Sequence, residues 1–209
     1  VTVREYQVDE ERNSANVKVP QVEVAATDEN ADSDTVEQAK VSADAINFDI
    51  NEETNKLIEE FKESLKNEEG YQSLYIDSNV KLDTDDLFSL ELILYQGAGS
   101  GYEQHKHYTV DKKTGKELSL KDLCGDDYID TISEEIKTQM REQMAADETV
   151  QYWLDDPEVE EWNFDKIAED QDFYVNEDGH IVVCFNEYDV APGSMGCVEF
   201  TLNETVNVK

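Results

Sequence analysis

Apolar and polar positions alternate weakly over the first 25 residues. Val1, Val3, Tyr6 and Val8, then Val17, Val19, Val22 and Val24, recur with a period near two, which predicts two short strands. The stretch 25–40 is polar, acidic and almost devoid of large apolar groups, so a linker or loop insertion is expected there. Helical spacing follows at Ile50, Leu57, Ile58, Phe61 and Leu65. Asn51 is the expected N-cap, with Glu52 and Glu53 in the first turn and Gly70 past the last.

The period then returns to two. Tyr71, Leu74, Ile76, Val80 and Leu82 make one strand pattern, and 87–95 (LFSLELILY) is the most apolar run in the chain. Phe88, Leu90, Leu92 and Leu94 share one face of it while Leu87, Ile93 and Tyr95 lie opposite, as in a central strand buried on both sides. Gly97, Gly99 and Gly101 form a pliable link to a strand through His105–Val110, and 111–115 (DKKTG) reads as a turn. A second helix is predicted from near Asp126, with Ile129, Ile132, Ile136 and Met140 on one side. The closing pattern is a hairpin: 173–175, an Asp178-Gly179 turn, 180–185 and, after a loop, 198–202. Helices and strands are segregated, so the fold class is α+β: a mainly antiparallel sheet packed by two principal helices, with a C-terminal β-hairpin. Residues 1–95 read as a ββαββ segment carrying the acidic insertion and 96–209 as a second segment, together one compact unit.

Charge narrows the partners. The 209 residues hold 51 acidic and 17 basic side chains, a formal charge of −34. Phosphate backbones and anionic lipid headgroups need a cationic face, so neither nucleic acid nor direct membrane docking is expected. No apolar run approaches the roughly 18 residues of a spanning helix, and no leader pattern stands at Val1. The chain as given is expected to be soluble, with any anchor upstream. Its field would steer a cationic macromolecule inward; keeping the chain in solution is the other use of the same charge.

Candidate chemistry is sparse. Cys124, Cys184 and Cys197 form no Cys-x-x-Cys motif. Cys184 and Cys197 flank a Pro-Gly turn, where they either pair or remain buried thiols. Gly99-Ser100-Gly101 lacks the spacing of a nucleophile elbow. His105 and His107 share a strand face with Glu103, a trio that suits a divalent metal, although two surface histidines are the commoner meaning of the pattern. Adjacent carboxylates recur too often to single out a general acid. Trp153, Trp162 and Phe164 punctuate the run 142–178, which has fourteen acids and one base; they are either a buried stripe or anchors for a partner. No catalytic residue, metal ligand or cofactor is assigned.

Several longer patterns occur together. They are 108–115 (YTVDKKTG) with 118–123 (LSLKDL), then 173–175 (FYV), Gly179, 185–188 (FNEY), 190–196 (VAPGSMG) and 199–200 (EF), with 17–22 (VKVPQV) upstream. This combination resembles RsiV-like proteins over nearly the whole chain, most specifically in the loop 187–196. The resemblance implies the outer domain of a membrane-anchored anti-sigma factor of Gram-positive bacteria. In that family a cytoplasmic segment holds a sigma factor and the outer domain senses the envelope, in the best understood members by binding lysozyme. Binding opens the anchor to signal peptidase and then to an intramembrane protease. The anchor and the sigma-binding segment would then precede Val1, with this chain on the extracellular face. Related domains sit beside a peptidoglycan deacetylase as accessory modules.

The resemblance places partner contacts at Pro192, Gly193, Ser194 and Met195, with Ser100 and Tyr102 nearby. Proline fixes φ and glycine admits unusual dihedrals, so the loop can be rigid. The family has a bulky aromatic where this chain has Ser194, which removes an expected anchor. The expected function is a non-enzymatic sensor of a cationic envelope-active protein such as lysozyme. An accessory glycan-binding module with Trp153 or Trp162 lining a groove is the alternative. A hydrolase would need two carboxyls converging in a pocket.

Overall fold

In the computed structural model, residues 1–23, 33–66 and 70–206 are described. The N-terminal alternation makes an antiparallel hairpin of β1 (Thr2–Asp9) and β2 (Asn13–Gln21). A long helix, α1 (Ser33–Lys66), then carries the chain across to β3 (Gln72–Asp83), which pairs parallel with β2. This is the one parallel pair in the sheet, as expected where a helix makes the connection. β4 (Leu87–Ala98), β5 (Gly101–Asp111) and the two-residue β6 (Lys116–Glu117) continue antiparallel, giving six strands in sequence order.

The helix starts earlier than its large apolar residues suggest. Ser33–Lys40 is helical rather than a loop, and the earlier part of the acidic stretch, up to residue 32, lies outside the described residues. Asn51 is not a cap but stands mid-helix, its side-chain amide donating to the Asn47 carbonyl at 2.6 Å. The reason is that the buried stripe begins further upstream, with Ser42, Ala43 and Ile46, before it runs on through Ile50, Thr54, Ile58 and Phe61. Glu37, Gln38, Ala39 and Lys40 are good helix formers that extend it.

That stripe packs on Val17, Val19, Leu74, Ile76, Leu90, Leu92 and Leu94. Polar ties fix its register. The Asn47 amide pairs with the Val22 backbone in both directions (2.7 and 2.8 Å), and Asp49 accepts from Lys106 Nζ and Tyr108 Oη at 2.7 Å each. At the far end Gly115 (φ 70°) closes the DKKTG turn against the helix: a Cβ there would lie 2.7 Å from Ala39 Cα. Only glycine meets both demands.

The second layer begins with α2 (Leu120–Cys124), whose Ser119 cap forms a reciprocal box with Asp122. Lys116 and Ser119 hydrogen-bond the Asp122 carboxylate and hold its pKa at about 2. Asp122→Ala is therefore expected to cost about 1 kcal/mol at neutral pH. Because the folded pKa is depressed, that difference should vanish as pH falls from the ordinary carboxylate range through about 2, which thermal melts of both chains at stepped pH would read.

α3 (Tyr128–Ala146) follows, then a long acidic loop, then β7 (Phe173–Val175), β8 (His180–Phe185) and β9 (Val198–Thr205) as an antiparallel three-stranded sheet. Ile132, Ile136 and Met140 pack on Phe185, Phe200 and Leu202 in a second core. The architecture is thus α+β, mainly antiparallel, with two principal helices and a C-terminal hairpin extended by a third strand. No described helix is long and apolar enough to cross a membrane. All three cysteines are free thiols.

Candidate functional site

The two layers meet along β4 and β5. Leu90, Leu92 and Leu94 face α1, so Ser89 and Glu91 face the small sheet. Both faces of β4 are buried, as its apolar run predicts, but one sets Ser89 and Glu91 between Leu87 and Ile93.

Strand register lines up the side chains there. Asn79 of β3 lies opposite Glu91, and Glu91 opposite His107. A bulge between Val80 and Leu82 frees Lys81 to turn toward the same carboxylate. Glu91 Oε1 stands 3.4 Å from His105 Nδ1, 3.3 Å from His107 Nε2 and 3.3 Å from Lys81 Nζ. Its other oxygen accepts from Asn79 Nδ2 at 2.7 Å. The outer ring nitrogens are held in turn: His107 Nδ1 by Asp172 at 2.6 Å, and His105 Nε2 by Glu103 at 3.1 Å. From the small sheet Tyr174 stacks on the His107 ring, centroids 5.0 Å apart, and gives its hydroxyl to Glu199.

Burial alone would raise the pKa of Glu91, whose side chain is 4% exposed. Hydrogen bonds from His105, His107 and Asn79 and the Lys81 charge overcome that and hold it well below the usual carboxylate range. Burial would depress His107, but hydrogen bonds with Asp172, Cys184 and Glu91 overcome that and push it up to about 12. A carboxyl kept ionised is the reverse of what a general acid requires.

The expected strand-face trio Glu103, His105 and His107 does share one face of β5, yet these are not surface histidines. Glu91, Asp172, Asn79 and Lys81 join them, none of which sequence spacing singled out. One signal was available: an acid in the middle of 87–95, where two-sided burial demands a partner for its charge.

The same strand organises the loops beside it. β5 pairs with β4 on one side and touches β6 only at its end. The free N–H groups of Glu103, His105 and His107 donate to Glu187 Oε2 (3.1 Å), Asn186 Oδ1 (2.6 Å) and Asp172 Oδ1 (2.9 Å). Side chains thus cap an exposed edge and bring the loop 186–196 against the 98–101 turn. Tyr102 and Tyr188 stack there, centroids 6.3 Å apart with planes 22° off parallel. They are 37% and 57% exposed.

Tyr188 holds φ at +68°, a conformation bulky residues avoid. Gly193 fits against its ring: a Cβ would fall 2.7 Å from Tyr188 Cε1. Pro192 leads into a 3-10 turn, Gly193–Met195, closed by Met195 N–H on the Pro192 carbonyl at 2.8 Å. Ser194 is exposed on that turn, Met195 packs onto the second core, and Ser100 is exposed on the facing turn. Tyr102 therefore reaches Gly193 through Tyr188, a residue that sequence reading did not place in the site. Nothing in the residue order signals a left-handed tyrosine.

Trp162 is 55% exposed and meets the half-buried Trp153 at 5.3 Å, whereas Phe164 is core. Trp153 N–H donates to the Val190 carbonyl, so this pair borders the same loop. A cavity of about 750 Å³ lies at the opposite end of the strands, with Ala39, Ile46, Asp83, Phe88 and Lys112 in its wall. Lys112 neutralises Asp83 there.

A family model described as a protein of unknown function (DUF3298) matches residues 121–203. The anti-sigma-V factor RsiV of Bacillus subtilis (strain 168) is 37% identical over 204 residues, covering 97% of this chain and 67% of that protein. Two crystal structures of DUF3298 proteins share the fold. That from Bacteroides fragilis is 20% identical with a TM-score of 0.51, over 96% of this chain and 89% of the other. That from Pseudomonas aeruginosa is 17% identical with a TM-score of 0.60, over 95% and 87%.

Proposed function

Because the chain belongs to the family of the anti-sigma factor RsiV, we propose that it is the extracellular sensing domain of a membrane-anchored anti-sigma factor whose ligand is a c-type lysozyme. The observation that carries this reading is the exposed Tyr102–Tyr188 stack, pre-formed between the start of β5 and the loop 186–196. Rigid amphipathic rings lose little entropy on docking and serve as hot spots. Glu187 and Asp189 flank the pair on a chain of net charge −34, which suits a basic partner. The resemblance leads one to expect an aromatic at Ser194; in this reading Tyr188, seated on Gly193, supplies the ring instead. Docking at 186–196 and 98–102 would then expose the anchor upstream to proteolysis and free the sigma factor.

Calorimetry with a c-type lysozyme tests this. One-to-one binding is expected, weakening from low to moderate salt as screening shortens the field. Absence of heat together with absence of co-elution would overturn the proposal. The exposed Trp162 beside Trp153 favours a second reading, an accessory module on wall glycan. Retention on insoluble peptidoglycan that disappears with Trp162→Ala would support that one.

A further inference from the structure

We propose that Glu91, His105 and His107, joined by Glu199, form a binding site for a divalent transition-metal ion of the zinc class. The ligand atoms of these four residues lie within 4.8 Å of one another. The two ring nitrogens also stand from Glu91 Oε1 at distances that co-ligands of one ion would keep. Charge-assisted N–H···O bonds settle at about 2.7–2.9 Å, and the outer His107–Asp172 bond, at 2.6 Å, is of that tight kind. The contacts of His105 Nδ1 and His107 Nε2 with Glu91 Oε1 are longer, 3.4 and 3.3 Å. Donors bound to one tetrahedral ion at about 2.0–2.2 Å stand roughly 3.3–3.5 Å from each other. Both nitrogens thus stand at co-ligand distance from Glu91 Oε1.

The surroundings match as well. Metal-binding imidazoles turn their second nitrogen to a carboxylate or carbonyl, which fixes ring and tautomer. Both rings do so here, His107 on Asp172 and His105 on Glu103. Asn79 holds the spare oxygen of Glu91, and Tyr174 orients Glu199. On binding, each ring gives up the proton between it and Glu91 and keeps the one on its outer carboxylate. Two carboxylates and two neutral imidazoles then balance a dication. Lys81, partly exposed and lying over the Tyr174 ring, turns outward to solvent.

Two other groupings share members with this one: Glu103, His105 and Cys197, and His107, Asp172 and Cys184. Glu103 and Asp172 are already engaged as outer partners of the rings, and the Cys197 thiol donates to the Glu103 carbonyl. The Glu91 set is therefore the one assigned. It does not depend on the lysozyme reading, although the capping bonds to Asn186 and Glu187 would let a bound ion stiffen the loop beside Tyr188.

Zinc is titrated into the 209-residue chain against a competing chelating dye, with excess magnesium to saturate surface carboxylates. One equivalent is expected to bind. His105→Ala should abolish it, and Asp172→Asn should weaken it by roughly 10–100-fold, with circular dichroism showing both variants folded. Cobalt in the wild-type chain should give a tetrahedral visible spectrum without a thiolate charge-transfer band. The proposal is overturned if no stoichiometric zinc binds, or if folded His105→Ala binds it as well as wild type. It also falls if cobalt shows a thiolate band that Cys197→Ser removes.

Discussion

Glu91→Ala is expected to destabilise the chain by about 3–5 kcal/mol, the usual consequence of removing one partner from a buried charge cluster. Glu91 is the common acceptor for His105, His107 and Lys81. Lys81 can move to solvent, but the His107 side chain has no exposure and would keep only Asp172 and the Cys184 thiol, losing its second carboxylate. For a chain this long the loss corresponds to roughly 10 °C in midpoint temperature. Glu91→Gln keeps an acceptor oxygen and the shape, so it should cost clearly less. Urea unfolding of the three chains in chelator reads the difference, with equal slopes showing that stability and not denatured-state compactness has changed. A loss below about 1 kcal/mol for Glu91→Ala would mean that the layers do not depend on this cluster.

Tyr188→Gly should do the opposite: spoil binding and spare the fold. Left-handed backbone costs a side-chain-bearing residue about 1–2 kcal/mol, and glycine removes that strain. Its greater freedom when unfolded takes back roughly 0.5–1 kcal/mol, and the lost stack on Tyr102 takes most of the rest. Folding stability is expected to stay within about 0.5 kcal/mol of wild type. Affinity for c-type lysozyme should fall about 30-fold, the equivalent of 2 kcal/mol for a hot-spot ring. Tyr188→Ala loses the ring but keeps the strain, so it should bind as weakly and be the less stable of the two. Unchanged lysozyme affinity in Tyr188→Gly would remove the tyrosine pair from the interface. Strain retained at an exposed loop residue is itself a reason to look for function there.

Particular residues show where sequence reading stops. The strand runs were legible because β4 and β5 keep their period and their turns carry glycine. The start of α1 was not, because Ala43 is small and Val36 is exposed, so the first turns show no strong apolar stripe. Those turns are held by Gly115 packing on Ala39, a contact between residues 76 positions apart. The expected pair His105 and His107 was visible from i, i+2 spacing. Its partners come from β3, β4, the 147–172 loop and β9, and no local pattern ties those together.

Residue order alone determined the α+β class, the two principal helices, the net negative charge and the turns that carry glycine, since periodicity, turn chemistry and charge are local or additive properties. Tertiary structure decided that the two layers meet on a polar seam, that Glu91 is its centre, and that Tyr188 stands between Tyr102 and Gly193. These follow from strand register, one bulge and one left-handed dihedral, each of which depends on what packs against it rather than on its neighbours in the chain.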